Sequence, residues 1–168
     1  MVGKQSKNYS IVLIVETEIS KFAYNVDTRS LNTITLTSKT AVIIEDFKLI
    51  SQIWQSILEG KGVAVIKQFD NADDIEKEII ELVPDIVLLD INLKGKVDGI
   101  ELTIKLKRLN PNIRILILTM HDSFNYMNKA YQAGALGYIH KNSQMSELNL
   151  AIDTVLSDQL YFKSIKTE

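Results

Sequence analysis

A chain of 168 residues with 46% hydrophobic and 24% charged side chains has room for one full hydrophobic core and a short appendage. Its formal net charge of -2, from 19 Lys plus Arg against 21 Asp plus Glu, argues against wrapping nucleic acid or an acidic membrane. With no cysteine and only two histidines, His121 and His140, a disulfide framework and a thiolate metal site are excluded and a histidine-built zinc site is disfavoured.

Residues 1–39 are rich in Ser, Thr and Asn and show no sustained helical period. They read as an N-terminal extension. Thr33, Thr35 and Thr37 alternate with Ile34 and Leu36 as an added edge strand would, residues 11–15 offer another, and disorder is the competing reading. The apolar run 11–15 is too short for a signal-peptide core or a bilayer span.

From Thr40 the pattern becomes regular. Residues 41–44 form an apolar strand that ends in Glu45 and Asp46, after which Ile50, Ile53, Trp54 and Ile57 recur on one helical face. Gly60, Lys61 and Gly62 turn the chain into a second strand over residues 63–66. Asn71 is expected to cap the next helix with Asp73 and Asp74 in its first turn, Ile75, Ile79 and Leu82 as its buried stripe and Pro84 as its end. Residues 86–89 are an uninterrupted apolar run, the mark of a strand covered on both faces, and they stop at Asp90. A polar loop through Asn92, Lys94 and Asp98 leads to a third helix. There Ile100, Leu102, Ile104 and Leu106 alternate as a strand would, but parallel strands on either side demand a crossover helix. Residues 113–118 are a fourth strand ending in Thr119. Met127, Ala130 and Tyr131 mark a fourth helix, and residues 136–139 are a fifth strand ending at His140 and Lys141. Leu148, Ala151, Ile152 and Val155 give a last amphipathic helix, finishing near residues 160–162.

Five strands alternating with five helices predict a doubly wound α/β fold with a five-stranded parallel sheet. Glu45, Asp46, Asp90, Thr119 and Lys141 all fall at the carboxyl ends of strands, where ligands of such sheets collect. Three carboxylates gathered there repel by about 4 kcal/mol per pair at about 4 Å, a cost tolerated when a cation belongs among them. An all-oxygen set selects a hard octahedral ion, Mg²⁺ or Mn²⁺. A lysine and a threonine hydroxyl supply a positive charge and a donor for phosphoryl oxygens, so the chemistry implied is phosphoryl transfer onto a carboxylate.

These residues, together with Asp98-Gly99, Ala133-Gly134-Ala135 and residues 137–141, resemble the receiver domain of bacterial two-component response regulators, above all the receivers of helix-turn-helix transcription regulators. The resemblance covers residues 40–162, leaving 163–168 as a tail, and implies the flavodoxin-like strand order 2-1-3-4-5. It implies Asp90 as phosphoacceptor, Mg²⁺ held by Asp46, Asp90, the Asn92 carbonyl and, through water, Glu45, and Lys141 and Thr119 on the phosphoryl oxygens. Thr119 and Tyr138 would form the switch that reports Asp90 charge to the face made by the fourth helix, fifth strand and fifth helix, which is also the implied homodimer surface. The implied partner is a sensor histidine kinase or phosphotransfer protein in the cytoplasm, with no direct nucleic-acid binding and no membrane. For His121 and His140 ordinary polar contacts are preferred over ligation, although His121 stands close enough to tune phosphate lifetime.

Two departures from the family pattern stand beside the site. Lys94 replaces the proline usual four residues after the phosphoacceptor, in a loop one residue longer than common. Asn142 replaces the proline that often follows the lysine. Residues 163–168 cannot fold into an output module, so the expected function is a stand-alone receiver, with a receiver cut from a DNA-binding regulator as the alternative. A Mg²⁺-dependent phosphohydrolase with an Asp nucleophile is the competing class. The lack of an insertion for a substrate lid and of a second positioned acid-base group counts against it.

Overall fold

The computed structural model describes residues 38–162; the expectations for strands at 11–15 and 33–37 lie outside these residues. The described elements run β1 (Thr40–Ile44), α1 (Lys48–Gly60), β2 (Ala64–Phe69), α2 (Glu76–Leu82), β3 (Ile86–Leu89), α3 (Gly99–Leu109), β4 (Ile115–Thr119), α4 (Phe124–Gln132), β5 (Gly137–His140), α5 (Met145–Leu156) and β6 (Tyr161–Phe162). Six parallel strands form one sheet in the order β2-β1-β3-β4-β5-β6.

Strand composition follows position in this sheet. β3 and β4 are buried at every residue because helices cover both their faces, whereas β2 lies at an edge and carries exposed Lys67 and Gln68. Alternate residues of the central strands feed two cores. Val42, Ile44, Val87, Leu89, Ile115 and Ile117 pack with Ile79 of α2, Leu102 and Leu106 of α3 and Ala130 of α4. Ala41, Ile43, Leu88, Leu116 and Leu118 pack with Trp54 and Leu58 of α1 and Leu148, Ile152 and Val155 of α5.

The segment 99–109 is a helix, as the crossover requires, and its local alternation resolves simply: Leu102 and Leu106 are buried while Ile104 is exposed. Asp98 caps it by accepting from the Glu101 amide at 2.8 Å. Gly99 is obligatory at its first turn, since a Cβ there would collide with the Asp90 carbonyl; the helix start lies directly against the chain at Asp90.

Four sequence expectations are corrected. The last helix stops at Leu156, and Tyr161 and Phe162 join the sheet as a sixth strand beside β5. The reason is local: Asp158 takes a left-handed φ of 58° and is held by Arg114, and the Tyr161 amide then bonds the Leu136 carbonyl at 2.8 Å. The second strand extends to Phe69, with a one-residue register shift against β1 after Ala41. On α1, Leu58 is fully buried and Ile53 is 43% exposed, so the covered stripe is rotated from the predicted one. Finally, Asn71 does not cap α2, which begins at Glu76. Its side chain instead accepts from the Asp73 amide at 3.0 Å, and Asp73 turns away towards another loop.

Candidate phosphoryl and metal site

β1 and β3 are neighbours from which the chain departs to opposite sides of the sheet, so a crevice opens at their carboxyl ends. The ladder runs one residue past the strands: the Glu45 amide bonds the Phe69 carbonyl (3.0 Å), Asp90 the Ile44 carbonyl (3.0 Å) and Lys141 the Thr119 carbonyl (2.8 Å). Main-chain bonds thereby fix the first residue beyond each strand. Carboxylate oxygens from Glu45, Asp46 and Asp90 lie within 4.8 Å of one another.

Asp90 is 3% exposed; one of its oxygens accepts from the Ile91 amide at 2.7 Å and the other from Lys141 Nζ at 2.8 Å. Lys141 Nζ also lies 2.6 Å from Glu45 Oε2, so one ammonium is shared between two buried carboxylates. Burial pushes the Glu45 carboxyl above its usual value of 4.5, against the opposing pull of Lys141. Asp46, half-buried, has Lys94 Nζ 3.7 Å away. The Lys141 ammonium also stands 5.2 Å from the centre of the Trp54 ring.

Three carboxylates against two ammonium groups, Lys141 and the exposed Lys94, and an all-oxygen donor set fit a hard divalent cation. Asp46, Asp90 and Glu45 are the side chains that would hold it. With no cis peptide bond among the described residues, Lys141 still reaches Asp90 although Asn142 follows it.

Thr119 and Tyr138 lie on adjacent strands, each joined to His121. Thr119 Oγ1, fully buried, accepts from the His121 amide at 3.3 Å, and the Tyr138 hydroxyl donates to the His121 carbonyl at 2.8 Å. Burial raises the ionisation of that hydroxyl well above the ordinary tyrosine range. His121 stacks on Tyr126 and its Nε2 lies 2.9 Å from Asn92 Oδ1. His140 accepts at Nδ1 from the Asn142 amide (3.2 Å), so its Nε2 donates to the Met120 carbonyl (3.1 Å). Both histidines therefore make ordinary polar contacts. Sequence reasoning missed the links through His121 and the docking of Asp73 on the 94–97 loop, because backbone carbonyls and amides, which leave no trace in residue type, complete both.

The doubly wound fold, with this acidic crevice at the carboxyl edge of its sheet, is that of a receiver-type signalling module. The family model for the response regulator receiver domain matches residues 41–153, and the chain belongs to that family. Relatives include the response regulator GacA of Pseudomonas aeruginosa, 32% identical over 121 residues, which cover 71% of this chain and 56% of that protein. The response regulator UvrY of Escherichia coli is 32% identical over 124 residues, 73% of this chain and 56% of its own length. A crystal structure of a LuxR-family two-component response regulator from Aurantimonas superposes with a TM-score of 0.70 at 31% identity, covering 75% of this chain and 90% of that one. The chain thus spans about half the length of the curated relatives it matches. Receiver domains of this family are signalling modules rather than conventional enzymes, bind Mg²⁺ through acidic residues, and imply a histidine kinase or phosphotransfer partner. Among the described residues no helix is long and apolar enough to cross a membrane.

Proposed function

We propose that residues 40–162 are a receiver unit in which Asp90 accepts a phosphoryl group from a phosphohistidine on a sensor kinase or relay protein in the cytoplasm. The observation that carries this reading is the meeting of Glu45, Asp46 and Asp90 around one crevice with Lys141 on two of them. As the P–N bond of the donor breaks, an Asp90 oxygen forms the new P–O bond, and Lys141 Nζ moves its charge from the carboxylate to the phosphoryl oxygens. Thr119, now bonded to the His121 amide, turns its hydroxyl to one of those oxygens. Asp46 and Asp90 would hold Mg²⁺ directly, with the Asn92 carbonyl as a further ligand and Glu45 acting through water. When bound, Mg²⁺ would supply positive charge for the transferred group.

Thr119 movement reaches Tyr138 through His121, so charge at Asp90 is reported on the α4, β5 and α5 face, the surface proposed for partner binding and homodimer formation. The described residues are proposed not to bind nucleic acid directly. A second reading, favoured by the half-length match to GacA and UvrY, makes this unit the receiver portion of a DNA-binding regulator. Intact-mass measurement after incubation with a small acyl phosphate tests the main proposal. One phosphoryl group should be gained, only with Mg²⁺ and not by Asp90→Asn; equal gain by that variant, or accumulation of none while the donor turns over repeatedly, overturns it in favour of another nucleophile or a hydrolase.

A further inference from the structure

The loop from Asp90 to Asp98 carries Asn92 and has Gly95 at its crest, so by composition it is free to move. It is pinned at its base, where the Ile91 carbonyl accepts from the Leu93 and Gly99 amides at 3.2 and 3.0 Å. Its outer half is held from a different part of the chain. Asp73, between β2 and α2, accepts at Oδ1 from the amides of Lys96 (2.9 Å) and Val97 (3.1 Å), and the Lys96 amide also lies 3.2 Å from Oδ2. Asn71, bonded to the Asp73 amide, pairs its own backbone with Lys94 as a parallel bridge. Gly95 has a φ of 114°, and a Cβ there would stand 2.7 Å from Asp73 Oδ2. Carboxylate and loop therefore close on each other only because residue 95 has no side chain.

An acid at residue 73 would ordinarily be placed by the dipole of the following helix. Here α2 starts three residues later and the carboxylate spends its lone pairs on the other loop. We infer that Asp73 is a positioning residue for the metal site: by clasping the Lys96 and Val97 amides it holds in place the loop that carries Asn92, whose carbonyl would join Asp46 and Asp90 on the cation. This rests on the metal site proposed above. Without the clasp the loop samples other conformations, and each cation bound must first restore the competent one, which lowers apparent affinity.

The single tryptophan, Trp54, under the Lys141 ammonium, gives a fluorescence readout of Mg²⁺ binding that needs no phosphoryl transfer. Asp73→Asn weakens the clasp by removing charge, while Gly95→Ala opens it with charge unchanged; Asp74→Asn removes a neighbouring charge outside the clasp. Mg²⁺ should bind about tenfold more weakly to the first two variants and unchanged to the third. Amide exchange at Lys96 and Val97 should accelerate in the first two alone. Native affinity in Gly95→Ala and Asp73→Asn, with exchange accelerated, overturns the role of Asp73 and leaves the metal site standing. Equal weakening by Asp74→Asn reduces the effect to general charge and also overturns it. If the native chain binds no Mg²⁺ at all, the site itself falls, and this role with it.

Discussion

Strand β3 is bracketed by two aspartates whose surroundings are opposites. Asp85, before its first residue, accepts from the Thr40 amide (2.8 Å), the Thr40 hydroxyl (3.2 Å) and Lys39 Nζ (3.0 Å). Although partial burial would raise its pKa, those donors win and hold the carboxyl below its usual 3.8. Asp90, after the last residue, has one amide and a lysine that it shares with the buried Glu45, whose own carboxyl is pushed up. The amino end of the strand is electrostatically satisfied and the carboxyl end is short of positive charge. That asymmetry supports the proposal that the carboxyl end, and not the amino end, receives the cation and the phosphoryl group.

The sharpest way to break the comparison is to remove the shared ammonium. Lys141→Met keeps the apolar stem near Trp54 but leaves two buried carboxylates facing each other, and it should destabilise the metal-free fold by about 3–5 kcal/mol in chemical denaturation at neutral pH. A loss below about 1 kcal/mol would mean that water already solvates the acids and that the crevice is not short of charge.

The two aspartates should then respond with opposite sign. Asp90→Asn removes one of three like charges and is expected to stabilise the metal-free chain by about 1–2 kcal/mol, an advantage that Mg²⁺ reverses because the native site gains more from the ion. Asp85→Ala should cost about 1–2 kcal/mol at neutral pH, since it strands the Thr40 amide and Lys39. Because the folded pKa of Asp85 lies below its unfolded value, its contribution is complete above that value and fades as pH falls below 3.8. Urea melts at pH 7 and at about pH 3 should therefore show the Asp85→Ala deficit shrinking in acid. Two changes of the same sign at neutral pH would remove the distinction between the strand ends.

The same contrast explains what residue order could reveal. The central strands are legible because burial on both faces demands continuous apolar runs, and Glu45, Asp46 and Asp90 stand out because each interrupts such a run at its end. α3 was legible only through topology, since its period-two stretch is a helix with Ile104 left outside. β6 was not legible: a two-residue strand at Tyr161 and Phe162 follows a left-handed turn at Asp158, and the pairing that holds that turn comes from Arg114, far away in sequence. Asp73 was misplaced for a similar reason, because an acid ahead of a helix looks like a dipole partner until a distant pair of amides claims it.

The smallest effect concerns the cations themselves. Lys39 stands 3.0 Å from Asp85 at hydrogen-bond distance, while Lys94, 79% exposed, stands 3.7 Å from Asp46, beyond it. At the satisfied end a lysine completes the set; at the deficient end its charge would compete with the proposed divalent ion for Asp46. An exposed pair of this kind is worth at most about 1 kcal/mol, so Lys94→Met should tighten Mg²⁺ binding by about two- to fivefold in a Trp54 fluorescence titration. The gain should shrink as salt screens the ammonium, because the competition acts through an exposed charge. Unchanged affinity at low salt would show that Lys94 yields without cost, and the charge deficit at the carboxyl end would then rest on Glu45, Asp90 and Lys141 alone.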